Sequence, residues 1–288
     1  MKNYSSNVSR RFLLAIVILS AFFLVSCDNG NHVKLDESSR DADMMNRGNF
    51  EFIVKNKIDF KSEVFVLEKK KFKFSVFSKM GSKDIRIIVC HDSENIAFDV
   101  GLRAIKDGGV LLAFENGEFR NLYDFGAHAQ THQDPNRIFY EDGPYWPLAN
   151  RVLSVIFSGK NRRDEVLIAL HNNNPRGDFG ITNLKKKKEI CVESSLDTDE
   201  KNLIWLSGED KTSGKFTKEI NFYKKSRLNV VYERIDDGSK GSLSNYTARK
   251  RIPYVNIEVR SGRDREGEKG AIASQTHYLD KVRTFHGI

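Results

Sequence analysis

Cysteine is scarce, with three in 288 residues. Beyond Cys27 only Cys90 and Cys191 remain, and two cysteines with scattered histidines do not make a Cys-based zinc knuckle. Cys90 ends an apolar, strand-like run, so a buried free thiol is the preferred reading. A bridge to Cys191 stays open, because an oxidising compartment would allow one. No internal repeat is visible, which excludes solenoid and propeller architectures. Long apolar runs are missing as well. The one extended run, Phe12 to Val25, is broken only by Ser20 and is shorter than the roughly 20 residues that a spanning helix needs.

What that run does have is a setting. Lys2, Arg10 and Arg11 precede it, and the chain turns polar at Asp28-Asn29-Gly30. A basic leader, a short apolar core and a small-residue exit are the parts of a secretory signal peptide. Leu24-Val25-Ser26-Cys27 resembles the bacterial lipobox, which implies a signal peptide over 1–26 and a lipidated Cys27 as the first mature residue. Acyl chains would hold Cys27 to the lipid membrane at about 0.8 kcal/mol per buried methylene. The expected location is the bacterial cell membrane, lipid-anchored and facing the periplasm or the cell exterior, with Asp28 leaning toward the inner membrane. Residues 27–47 are polar without apolar period and read as a flexible tether. The net charge is +8, with runs at Lys69–Lys71 and Lys185–Lys188. In that compartment the runs are read as a solvated face or as attraction to anionic lipid or cell-wall polymer, not as a nucleic-acid surface.

The remaining residues alternate strand and helix patterns. Phe50–Val54, Val64–Leu67, Phe72–Phe77 and Ile85–Cys90 are rich in Phe, Val and Ile and predict strands. Apolar positions across Glu94–Lys106 are spaced for a helix that Gly108-Gly109 stops. Val110–Phe114, Glu165–Leu170, Leu228–Tyr232 and Tyr254–Ile257 predict strands, and Leu148–Phe157 and Gly270–Arg283 predict helices. The expected fold is α/β: a mixed, largely parallel twisted sheet flanked by helices, over 83–288. Extra N-terminal β-strands over 48–82 would form either a small antiparallel subdomain or an edge extension of the sheet.

Three predicted strands end on residues suited to a metal hydrolase. Asp84–Cys90 runs into His91, with Glu94 three residues later; Asp164–Leu170 runs into His171; Tyr254–Ile257 runs into Glu258. Ligands of open α/β sheets bind beyond the carboxyl ends of the strands, so these side chains should converge. Hydrolytic zinc favours two imidazoles, one carboxylate and a position for water. His91, Glu94 and His171 make that set for one Zn2+ per chain, and Glu258 is left as general base.

These motifs resemble the zinc carboxypeptidase family. His91-Asp-Ser-Glu94 is similar to its first ligand pair, Asp134-Pro-Asn136-Arg137 to its Asp-x-Asn-Arg signature, Ala169-Leu-His171 to its third-ligand strand, and Glu258-Val-Arg260 to its Glu-x-Arg segment. They stand in the family's order from His91 to Gly262. The resemblance implies a metallo-carboxypeptidase acting on a peptide with a free C-terminal carboxylate, with cell-wall peptides suggested by location. It implies Arg120 as the stabiliser of a developing oxyanion, Asn136 and Arg137 as the clamp on the terminal carboxylate, and Asp134 as the partner of the outer nitrogen of His91. Tyr246 stands in for the family's substrate-capping tyrosine. The tail Asn172-Asn173-Asn174 is equally similar to the acyl-amino-acid deacylase branch, so a zinc deacylase is the alternative; a third reading is a lipoprotein that binds peptide or glycan without turnover. His128 and His132 read as polar loop residues, Trp146 and Trp205 as core or rim aromatics, and His32, His277 and His286 receive no role.

Overall fold

The computed structural model describes residues 48–288 apart from 175–176, 178, 188–189, 195–196, 198, 210–213, 236–239 and 263–264. The leader, Cys27 and the tether with His32 lie outside the described residues, as does the side chain of Cys191.

In chain order the elements are α1 (Asn49–Asn56), β1 (Asp59–Leu67), β2 (Lys70–Lys79), β3 (Ile85–Val89), α2 (Asn95–Ala104), β4 (Gly109–Glu115), β5 (Tyr123–Asp124), β6 (Ala129–Gln130), α3 (Trp146–Phe157), β7 (Leu167–Asn173), α4 (Ile181–Leu184), β8 (Ile190–Ser194), β9 (Leu203–Gly208), α5 (Gly214–Lys225), β10 (Val230–Arg234), α6 (Leu243–Lys250), β11 (Tyr254–Arg260) and α7 (Arg265–His286). Nine strands form one mixed sheet in the order β1-β2-β4-β3-β7-β11-β9-β10-β8. Its centre is parallel: β4, β3, β7 and β11 run the same way. β1 and β2 join antiparallel at the β4 edge and so extend this sheet. β9 runs against β11. Among the described residues no helix is long and apolar enough to cross a membrane.

The burial of each central strand explains its composition. All five residues of β3 are buried, as expected of a parallel strand covered on both faces; four are apolar, and the buried Arg86 is held by Asp84, Glu165 and the Ile156 carbonyl. Alternation sorts the two faces. Ile87, Leu111 and Leu170 meet α2 where Gly101 lies against them. Ile88, Leu112 and Ala169 face the other way, into a cluster with Leu148, Val152, Leu153 and Ile156 of α3. Each of these fully buried α3 side chains contributes roughly 1.5–3 kcal/mol before entropy is charged. The turn from α2 into β4 needs glycine. Gly109 has φ +134°, and a Cβ there would come within 2.3 Å of the Ile85 carbonyl oxygen. That close approach sets β4 against β3 in parallel register.

One predicted strand is a helix. Phe50–Val54 lies within α1. Its two buried residues, Asn49 and Ile53, are four apart and so share one helical face. The buried amide of Asn49 donates to Asp99 Oδ1 of α2 at 2.7 Å, and its Oδ1 accepts from Arg103 Nη1 at 3.0 Å. Docking on α2 outweighs the β propensity of Phe, Ile and Val, leaving Val54 60% exposed.

Candidate metal centre

The carboxyl ends of β3, β7 and β11 lie along one edge, and the site is built there. After β3 the chain passes through Cys90 to His91 and turns at once, the Glu94 amide donating to the His91 carbonyl at 3.0 Å. This tight turn sets two side chains three residues apart beside each other. Glu94 occupies the N-cap position of α2 without making a side-chain cap bond. The cap comes from β7, where Asn172 Oδ1 accepts the Ala97 amide at 2.8 Å, a bond of the kind that normally satisfies a helix's first turn. Glu94 is thereby released from capping and turns to the imidazoles.

Its two oxygens are shared between them. His91 Nδ1 is 2.8 Å from Oε1 and His171 Nδ1 is 2.9 Å from Oε2. The imidazole centroids are 5.0 Å apart, and the three potential ligand atoms lie within 4.8 Å of one another, all on buried residues. Burial raises the Glu94 carboxyl, but the two imidazoles outweigh it and hold the group well below the carboxylate range. Burial likewise pulls His91 down, and the Glu94 charge together with the Asp134 hydrogen bond overcomes it, raising His91 to about 9. Asp134 Oδ1 sits 3.0 Å from His91 Nε2 and also accepts the Asn136 amide at 2.7 Å. A carboxylate on the outer nitrogen fixes the ring and leaves Nδ1 as the metal-facing atom. His171 departs from this pattern, since its buried Nε2 has no protein partner among the described residues.

Two nitrogens and one carboxylate oxygen, buried together and aimed at a common centre, suit a zinc ion with a further position open. An apolar core gains nothing from three such groups in one place. The residues present therefore fit the ion.

Glu258 stands beside them. β11 and β7 pair in parallel with Glu258 opposite His171, which puts both side chains on the same face of the sheet. Burial raises the Glu258 carboxyl, and the attraction of His171 only partly offsets this, so it remains above the ordinary value. Arg120 reaches across from the loop after β4, its Nη1 3.5 Å from Glu94 Oε1 and its Nη2 3.6 Å from Asp134 Oδ2. Glu94 and Arg120 open onto a cavity of about 540 Å³ whose wall also includes Ser93, Asn95, Asn172 and Glu268.

His91, Glu94, His171, Asp134, Arg120 and Glu258 are thus brought together. The substrate residues expected from sequence are placed less uniformly. Asn136 lies in the short helical turn Pro135–Arg137 next to Asp134, half-buried, and Arg137 is exposed there. Tyr246 is a correction. It sits in α6, 7% exposed, with its ring packed on Phe139 and Trp146. Arg162, which precedes β7, donates to its hydroxyl at 3.4 Å. α6 feeds the start of β11, so Tyr246 lies at the opposite end of the strands from Glu258 and is a core aromatic. Asn172 and Asn173 carry the likeness to deacylases, and both are bound into the scaffold: Asn172 through Ala97 and Gln275, and Asn173 by donating to the Lys201 carbonyl at 2.9 Å.

Cys90 is a buried free thiol, pushed up by burial and by the nearby charges of Asp134 and Glu94. His128 and His132 are exposed. Trp146 and Trp205 pack against Tyr246 and Phe179. His286 sits 3.1 Å from Glu219. Sequence reasoning passed over Asn256, whose Nδ2 donates to Glu258 Oε1 at 3.0 Å; a polar residue two places before Glu258 in an otherwise apolar strand was the available signal.

No family model matches the chain, and no curated protein does. Solved structures similar to it include a metallo-carboxypeptidase from Burkholderia cenocepacia, at 8% identity and TM-score 0.44, with 83% of this chain and 69% of that one covered. The succinylglutamate desuccinylase from Chromobacterium violaceum is 12% identical with TM-score 0.42, over 80% of this chain and 72% of that one. Thrombin activatable fibrinolysis inhibitor is 8% identical with TM-score 0.48, over 82% and 75%. Likenesses this distant carry no conclusion about chemistry, which rests on the chain's own residues.

Proposed function

We propose that this chain is a zinc-dependent hydrolase of the carboxypeptidase type, acting on peptides with a free terminal carboxylate and held to the outside of a bacterial membrane through Cys27. The observation that carries the chemistry is the buried cluster of His91, Glu94 and His171 with Glu258 in register beside it. His91, Glu94 and His171 would hold the metal, with Asp134 orienting His91. Bound zinc supplies a Lewis acid, which polarises a carbonyl and lowers the pKa of water from 15.7 toward about 7.

The protein's own groups account for the remaining tasks. Glu258 carries a carboxyl raised by burial, which brings it closer to the working range of a general base. It takes the proton of the attacking water and returns it to the leaving nitrogen. Arg120, exposed at the cavity mouth and drawn toward Glu94 and Asp134, offers its guanidinium to the oxygen that gains charge. Asn136 and Arg137 are assigned to the substrate carboxylate, for which the planar guanidinium fork is well shaped.

The decisive experiment combines metal analysis with one isosteric substitution. Purified protein should carry close to one zinc per chain, and His91→Ala and His171→Ala should each remove it. Glu258→Gln should keep the zinc and lose turnover of acylated dipeptides by 10²-fold or more. Full zinc in both histidine variants would refute the metal assignment, and an active Glu258→Gln enzyme would refute the mechanism.

A further inference from the structure

We infer that Asn256 is a positioning residue that pins one oxygen of Glu258 and leaves the other to act. The inference rests on the reading of Glu258 as general base given above.

Tyr254, Asn256 and Glu258 share one face of β11 by alternation. Across the sheet Asn256 is paired with Ala169 on β7 and with Trp205 on β9, so it lies in the interior of the sheet, 7% exposed. A primary amide in such a place is unfavourable unless its hydrogen bonds are made. Its Nδ2 donates to Glu258 Oε1 at 3.0 Å, while its buried Oδ1 has no protein partner among the described residues. A side chain kept for packing alone would be apolar here, as Val255 and Ile257 are on the opposite face. An amide two residues before Glu258 instead restricts the carboxylate rotor. It engages Oε1 as an acceptor and leaves Oε2 outside that bond. A donor to Oε1 also favours the charged form of Glu258 over the neutral one. The titratable groups nearest it are His171 on β7, His91 in the turn after β3 and Glu94 at the start of α2.

The test uses the full-length, zinc-loaded protein with Asn256→Ala, the near-isosteric Asn256→Asp, and Glu258→Gln as reference. Asn256→Ala should lower kcat on an acylated dipeptide about tenfold to hundredfold, the size expected for one hydrogen bond to a charged group. KM, zinc content and melting temperature should stay near wild type. The acid limb of the kcat/KM profile should move to higher pH, and further in Asn256→Asp, where a like charge replaces the donor. A readout independent of turnover is the carbon-13 shift of the Glu258 carboxyl, identified by its loss in Glu258→Gln, which should titrate at higher pH in Asn256→Ala than in wild type. An unchanged carboxyl titration overturns the inference, as does a fall in activity matched by an equal loss of folded protein. Full activity in Glu258→Gln would instead remove the general-base reading, and the carboxyl titration would still decide whether Asn256 holds Glu258.

Discussion

At the scale of single residues, the site is a set of bargains over protons. His91, raised to about 9 by Glu94 and Asp134, carries a proton on each ring nitrogen at neutral pH in the metal-free protein. A metal requires the Nδ1 lone pair, so that proton must leave when the ion enters. Zinc uptake at pH 7.5 should therefore release about one proton through His91, and zinc affinity should climb with pH until about 9 and then level. Calorimetric titration in two buffers of different ionisation enthalpy measures this directly; an enthalpy that does not depend on the buffer would contradict it. Glu94 sends no proton, since it is already ionised far below neutral pH.

At the scale of elements, the instructive case is α1, where a run of Phe, Ile and Val folds as a helix because Asn49 bonds into α2. Asn49→Ala removes a fully buried amide that both donates to Asp99 and accepts from Arg103. It should destabilise the fold by about 1–3 kcal/mol, read as a lower urea midpoint at unchanged slope; an unchanged midpoint would mean that α1 is not held by this contact. The strands that end in His91, His171 and Glu258 were legible from sequence because buried parallel strands are written as short apolar runs, and the chemistry follows directly after or within them. α5 and α6 were not, being dominated by polar residues. β9 was passed over although Leu203–Leu206 is a short apolar run of the same kind. Tyr246 failed for a different reason. Its place in the chain, shortly before Glu258, says nothing of which end of the strands it occupies, and that depends on α6 running back to the start of β11.

At the scale of the whole molecule, the lipid anchor proposed at Cys27 would decide where this chemistry operates. Cys27→Ser, fractionated from the expressing bacterium, should leave an unprocessed precursor or free the protein from the membrane; processing and membrane retention equal to wild type would count against the lipid anchor. The sheet itself has one further consequence. In the sheet's strand order its two flanks, β1 through β7 in one and β9, β10 and β8 in the other, meet at β11. In chain order the three candidate ligands, His91, Glu94 and His171, all precede Glu258, which stands on the strand that joins the two flanks. On the reading proposed above, completion of the sheet and arrival of the general base would coincide on β11.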